Sequence, residues 1–181
     1  MSWFGVVAQI EPHLLRNDYK QSEKIVSYAL KSYPKSPFQK VLELEFSNSV
    51  DDIAKSFNEF FRRESTRFNV TAIYTETNEF DINPDRWFFD LFAYDADGGL
   101  DDLDWISDWQ SKDWPSITLT GMEDLQAIYA SENLDEEIVD LASLLVVVKF
   151  QRLIFNSRLK MQIGNIPVYS AGHDYDFIAK C

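Results

Sequence analysis

Sulfur and imidazole are scarce in this chain of 181 residues, which has one cysteine, Cys181, and two histidines, His13 and His173. A lone cysteine excludes an internal disulfide and suits a reducing compartment. A zinc centre lacks its usual ligands, because there is no second cysteine and the histidines stand far apart in sequence. Cys181 has no residues after it to form a prenylation box and reads as an exposed, dispensable thiol. Six glycines and six prolines are too few for a collagen-like or low-complexity chain. No repeat recurs at any period between about 20 and 50 residues. The apolar start, Met1 to Ile10, lacks both a basic flank and a small-residue cleavage site, so it is not read as a signal peptide. The longest later apolar run, Leu141 to Val148, is too short to cross a bilayer and is followed by Lys149 and Arg152. A cytoplasmic protein without membrane contact is the expectation.

Positive charge is missing from the middle of the chain. Residues 68–140 hold 19 of the 30 acidic residues and two basic ones, Arg86 and Lys112, a net charge of −17. The flanks are close to neutral, so the overall −13 comes from a block and not an even tint. The sharpest stretch runs from Asp95 to Trp114, with seven Asp, one Lys and three of the five Trp. Such a block repels nucleic acid and attracts a basic partner. The hydrophobic content of 45%, including 15% aromatic residues, nevertheless marks a folded chain with a sizeable core. The length is most simply that of one domain, residues 1–181.

Periodicity predicts an α+β fold, a mainly antiparallel sheet packed with several helices. Trp3 to Arg16 reads as a helix broken at Pro12, or as two short helices. A second helix, capped by Asn17 or Asp18, runs to about Ser32 with Tyr19, Ser22, Val26, Ala29 and Tyr33 on one stripe. Phe38–Phe46 alternates and reads as a strand. Ser49 caps a helix from Val50 to about Glu64, whose Phe57, Phe60 and Phe61 read as a core face. Val70–Glu76 and Arg86–Tyr94 are strands separated by Asn83-Pro84-Asp85 turn chemistry. With 38–46 they compose an antiparallel meander, its 86–94 strand covered at least partly on both faces. Ser116–Thr120 is a short strand, and Thr120-Gly-Met-Glu123 a capping box for a helix to about Ala130. Asn133 and Glu136 repeat that pattern for a long buried helix over 134–160. Ile166–Ser170 and Asp174–Lys180 close the fold as a hairpin about Ala171-Gly172.

No residue set assembles a recognisable catalytic centre. Counted from Asp95, a calcium loop would need Gly and Glu where Leu100 and Ile106 stand. Asp95/Asp97 and Asp101/Asp102 are carboxylate pairs of unspecified separation. Ser170, His173 and Asp174 are close in sequence, but a triad is defined by geometry. The expectation is a protein without enzymatic activity, cofactor or bound metal. Arg62, Arg63 and Arg67 near a helix end answer the helix dipole, and His13 reads as a surface or core histidine.

Partner binding is the better-supported chemistry. If Leu103–Gln110 is helical, Trp105 and Trp109 share a face, with Asp104 and Asp108 beside it. Tryptophan is a favoured interface anchor, and acids around it speed encounter with a basic partner. The candidate binding residues are therefore Asp95, Asp97, Asp101, Asp102, Asp104, Trp105, Asp108, Trp109, Asp113 and Trp114. The alternative is that the Trp anchor a long loop to the core while the Asp keep it solvated. In size, charge and this Asp/Trp-rich segment, the chain resembles the immunity proteins of bacterial contact-dependent and polymorphic toxin systems. That resemblance implies neutralisation of one cognate, often basic nuclease toxin. The other readings are an adaptor or regulatory subunit that uses the same face, and a metal-dependent hydrolase that uses the acidic loop.

Overall fold

The computed structural model describes residues 2–131, 135–173, 175 and 177–181. The fold is α+β. Its helices are α1 (Trp3–Leu14), α2 (Tyr19–Leu30), α3 (Val50–Glu64), α4 (Glu123–Tyr129) and α5 (Glu136–Arg158). Its strands are β1 (Ala72–Thr77), β2 (Phe88–Tyr94), β3 (Ser116–Thr118), β4 (Val168–Gly172) and β5 (Ala179–Lys180). They form one sheet in the order β3-β2-β1-β4-β5. Only the β1–β4 pair is parallel.

Local chemistry sets the helix starts. Ser49 Oγ accepts from the Asp51 and Asp52 amides, and Asp18 accepts from Gln21 N–H at 3.2 Å. Pro12 does not break α1. It lies in the last turn and forfeits only the bond that residue 12 would give to the Ala8 carbonyl. Thr120 does not cap α4, because its N–H and hydroxyl meet Asn48 and Ser47. Glu123 accepts from the Gly121 amide at 2.9 Å and not from Thr120 N–H, so neither half of the expected box forms. The expected cap Asn133 and start Leu134 lie outside the described residues; the described helix is capped by Asp135, which accepts from Ile138 N–H.

α5 is the axis of the helical side. Residues 141–151 are all buried, including Lys149 and Gln151, and α5 packs against α1, α2, α3 and β4. Phe89 of β2 sits 5.3 Å from Phe150 of α5 and 6.3 Å from Phe57 of α3, between ring centroids. Burying these side chains stabilises the fold by about 1.5–3 kcal/mol each relative to exposure.

Phe38–Phe46 is not a strand. Pro37–Leu42 winds into a 3₁₀ helix with Ser36 capping Phe38 N–H, and the chain then runs extended without a ladder. The alternation is real: Leu42, Leu44 and Phe46 turn inward while Glu43 and Glu45 stay exposed. The carbonyls of Val41 and Leu44 are satisfied by the buried Lys149 ammonium, at 3.1 Å for Val41. The meander therefore shrinks to β1–β2, and β4 takes the place beside β1.

The closing strands pair antiparallel as expected, Tyr169 opposite Lys180, but not about Ala171-Gly172. Ala171 and Gly172 belong to β4, with Gly172 opposite Thr77. A Cβ at Gly172 would lie 2.3 Å from the Tyr175 ring and 2.7 Å from Val147. This glycine permits close packing and does not make the turn. Asp174, and with it the Ser170–His173–Asp174 grouping, lies outside the described residues. Cys181 is not an exposed thiol. It exchanges backbone bonds with Val168, and burial pushes the thiol up to about 11, despite the nearby Arg158.

Candidate functional site

The two faces of the sheet are covered differently. Ile73, Phe89, Leu91, Ala93 and Val168 face the helices. Their alternates Ala72, Tyr74, Phe92, Tyr94, Tyr169 and Ala171 form a second apolar cluster on the other face. Among the described residues, no α-helical side chain belongs to that cluster. The acidic segment folds back over part of it instead, laying Leu100, Leu103, Trp105 and Ile106 on the sheet.

Trp105 and Asp97 fasten this segment. The Trp105 ring is half-buried, edge-on to Tyr94 at 4.7 Å and to Tyr169 at 5.1 Å, and its N–H donates to the Gly99 carbonyl at 3.0 Å. Tyr169 donates its hydroxyl to Asp97 at 2.6 Å, and the Gly99 amide donates to the same carboxylate oxygen. Burial opposes the Asp97 charge, but Tyr169, Gly99 and the Lys180 cation outweigh it and hold this carboxyl below its usual range. Asp102 accepts from the Asp104 amide at 3.0 Å and so shapes the turn locally. The Asp113 carbonyl accepts from Arg63. Arg63 and Arg67 are not merely a dipole cluster, since both pair with Glu64, which is 1% exposed.

The helix expected over 103–110 reduces to one 3₁₀ turn, Asp104–Ser107. Beyond it the backbone finds the sheet. Gln110 N–H donates to the Ala93 carbonyl and Ser111 Oγ accepts from Ala93 N–H, so the chain runs back along the outer edge of β2 into β3. Trp105 and Trp109 consequently do not share a helical face. Trp109 joins Trp114 and Phe92, with ring centroids 5.3 Å (Phe92–Trp109), 6.0 Å (Phe92–Trp114) and 6.1 Å (Trp109–Trp114) apart. Trp109 is 42% and Trp114 48% exposed. Asp95, Asp101, Asp102, Asp104, Asp108 and Asp113 are exposed on the same segment.

A cleft of about 390 Å³ opens beside this cluster, lined by Tyr74, Glu76, Phe92, Tyr94, Ile106, Ser107 and Trp109. Glu76 accepts from the Tyr74 hydroxyl at 2.9 Å and lies 3.3 Å from His173 Nδ1. Asp90 stands directly opposite Glu76 in the β1–β2 register. Burial raises the Asp90 carboxyl above its usual range, the Ser116 hydroxyl bond lowers it, Glu76 raises it and Arg86 lowers it; the net is upward.

Tyr74, Glu76 and Asp90 were absent from the sequence-derived site. Their signal was the Phe88–Asp90–Phe92–Tyr94 alternation, which shows one strand face but not what covers it. A larger cavity is lined by Tyr33, Pro34, Phe38, Asp135 and Ile138, none of which belongs to this face. Among the described residues, no group of three or more His, Cys, Asp or Glu is placed to hold a metal ion, and no helix is long and apolar enough to cross a membrane. No protein family, no curated protein and no solved structure matches the chain.

Proposed function

We propose that this protein is a non-enzymatic inhibitor of a basic protein, of the kind an immunity protein makes of a toxin domain, and that it works in the cytoplasm. One observation carries the reading, the Phe92–Trp109–Trp114 cluster. Two tryptophans stay more than two-fifths exposed on the sheet face away from the main core, inside a segment of net charge −17. A contiguous apolar patch rimmed by polar groups marks an interaction surface. Tryptophan gives such a surface its anchors, and Asp95, Asp101, Asp102, Asp104, Asp108 and Asp113 supply steering charge. A nuclease toxin is a fitting target, because a protein that binds a polyanion presents the basic surface this segment attracts. An adaptor that uses the same face would differ in the identity of its partner.

The test is capture from source-cell lysate, at low and at moderate salt, with the native chain and with a Trp109→Ala/Trp114→Ala variant. One basic protein, retained at moderate salt by the native chain and released from the variant, is the expected result. Equal retention by both chains would remove the cluster as the binding surface. Heterogeneous, salt-labile capture would reduce the acidic block to a nonspecific polyanion.

A further inference from the structure

We propose that the cleft beside Trp109 is a receptor for a single arginine side chain of the partner. The proposal rests on the partner-binding reading and names the group that this face recognises. Tyr74, Phe92 and Trp109 form a row of rings, with Phe92 6.1 Å from Tyr74 and 5.3 Å from Trp109. At about 390 Å³ the cleft suits one long side chain. The Glu76 carboxylate lines the cleft, and Asp90 faces Glu76 across the strands on the same side of the sheet.

Like charges directly opposite on a sheet face are unfavourable without a compensating cation. The cations already present compensate this pair only in part, Arg86 acting on Asp90 and His173 on Glu76. Arg86 donates to the Thr118 hydroxyl and the Ser116 carbonyl and lies over the Phe88 ring at 5.0 Å. His173 sits beside Glu76, and its charge depends on protonation. Glu76 also receives the Tyr74 hydroxyl, yet an ionised carboxylate has room for about four donors.

An arginine satisfies the whole arrangement. Its planar guanidinium stacks on aromatic faces while its fork donates to a carboxylate. Lysine carries the charge without the plane. An anion would meet the Glu76 carboxylate, and an apolar side chain would desolvate it without pairing it.

The probes are N-acetyl-arginine methylamide, its lysine counterpart and its uncharged citrulline counterpart, titrated into the full chain by NMR. The arginine compound should move the Trp109 indole and the 74–76 and 92–94 amides, more strongly than lysine does, and citrulline should leave them in place. Glu76→Gln should weaken arginine binding at least about tenfold, the scale of one charge-assisted bond. Trp109→Ala, at an exposed ring, should do the same where the Glu76 variant fails to fold. Shifts spread over all exposed carboxylates, equal shifts from citrulline, or indifference to both variants would overturn the proposal. If the arginine probe fails while the Trp109/Trp114 variant still loses its captured partner, only the arginine receptor falls. Local arginine binding without partner capture would instead leave a cation site and remove the inhibitor reading.

Discussion

Gly98→Ala tests whether the acidic segment is seated by Trp105. A Cβ at Gly98 would lie 2.2 Å from Trp105 Cδ1, 2.5 Å from Cγ and 2.9 Å from Nε1. These atoms belong to a rigid ring held against Tyr94 and Tyr169 and tied by its N–H to Gly99. The ring has no flexible tip to yield, so it must leave its seat. Overpacking costs about 1–3 kcal/mol, and each lost aromatic contact about 0.5–1.5 kcal/mol. Local detachment limits the global cost, since Trp105 and its apolar neighbours pack on the sheet face away from the main core. The expected loss of stability is about 1–3 kcal/mol. Gly99→Ala is the control, because Gly99 has a φ of +75° with nothing within 4 Å of its Cβ position. It carries backbone strain of about 1–3 kcal/mol but no ring collision. Labelling with 5-fluorotryptophan separates the two, because the chain has five Trp. The Trp105 signal should move toward its solvent-exposed position in Gly98→Ala and hold in Gly99→Ala. An unmoved signal in Gly98→Ala, or equal movement in both variants, would refute the seating argument.

Lys149→Met should cost about 2–4 kcal/mol in denaturant unfolding, because the buried Val41 carbonyl and the part-buried Leu44 carbonyl lose a charged donor. A loss under about 0.5 kcal/mol would show that water replaces it. Asp90 has its carboxyl raised by burial, and by Glu76 against the opposing Ser116 bond and Arg86, so its folded form holds a proton more tightly than the unfolded chain does. Its contribution therefore falls as pH rises through the folded value. Asp90→Asn should melt higher than the native chain at neutral pH, with the difference shrinking on acidification. Asp97 has the opposite sign, since its lowered carboxyl stabilises above the ordinary value and loses that contribution as pH falls through the folded one. Tyr169→Phe should cost about 1 kcal/mol at neutral pH and less in strong acid, where Asp97 is neutral, by chemical unfolding at each pH. Once a partner is in hand, charge reversal at Asp101, Asp102 and Asp104 should slow association and flatten its salt dependence in stopped-flow, while Glu76→Gln should act on dissociation.

Side-chain direction was legible in the sequence; hydrogen-bond partners were not. The Ser49 cap, the α3 stripe, the buried centre of α5 and the two faces of β2 all follow from local patterns, and all appear. Phe38–Phe46 shows why the rest did not. Its period of two reports which side is buried, but the ladder was replaced by an ammonium 108 positions away, from Lys149 to Val41. The same holds for 103–110. A spacing of four put Trp105 and Trp109 on one helical face, yet the Gln110 amide bonds to Ala93 of the sheet and the helix stops after one turn. The three tryptophans read as one set because they share a segment. Tertiary contacts divide them, placing Trp105 on Tyr94 and Tyr169 and Trp109 with Trp114 on Phe92.

That division lets one segment serve both the core and the surface. Its apolar residues Leu100, Leu103, Trp105 and Ile106 close the part of the sheet near Tyr94 and Tyr169. Its exposed carboxylates lie in water, where their repulsion is screened beyond about 8 Å at physiological salt. The fold therefore tolerates them at small cost, and the proposal gives them the role of steering a basic partner. Glu76 and Asp90 are different in kind. They face each other on the sheet, and Asp90 is partly desolvated, so their charge is felt most by a group that enters the cleft. In the proposed complex, loop acids govern approach and strand acids govern residence. The aromatic row of Tyr74, Phe92 and Trp109 lies where those two functions meet.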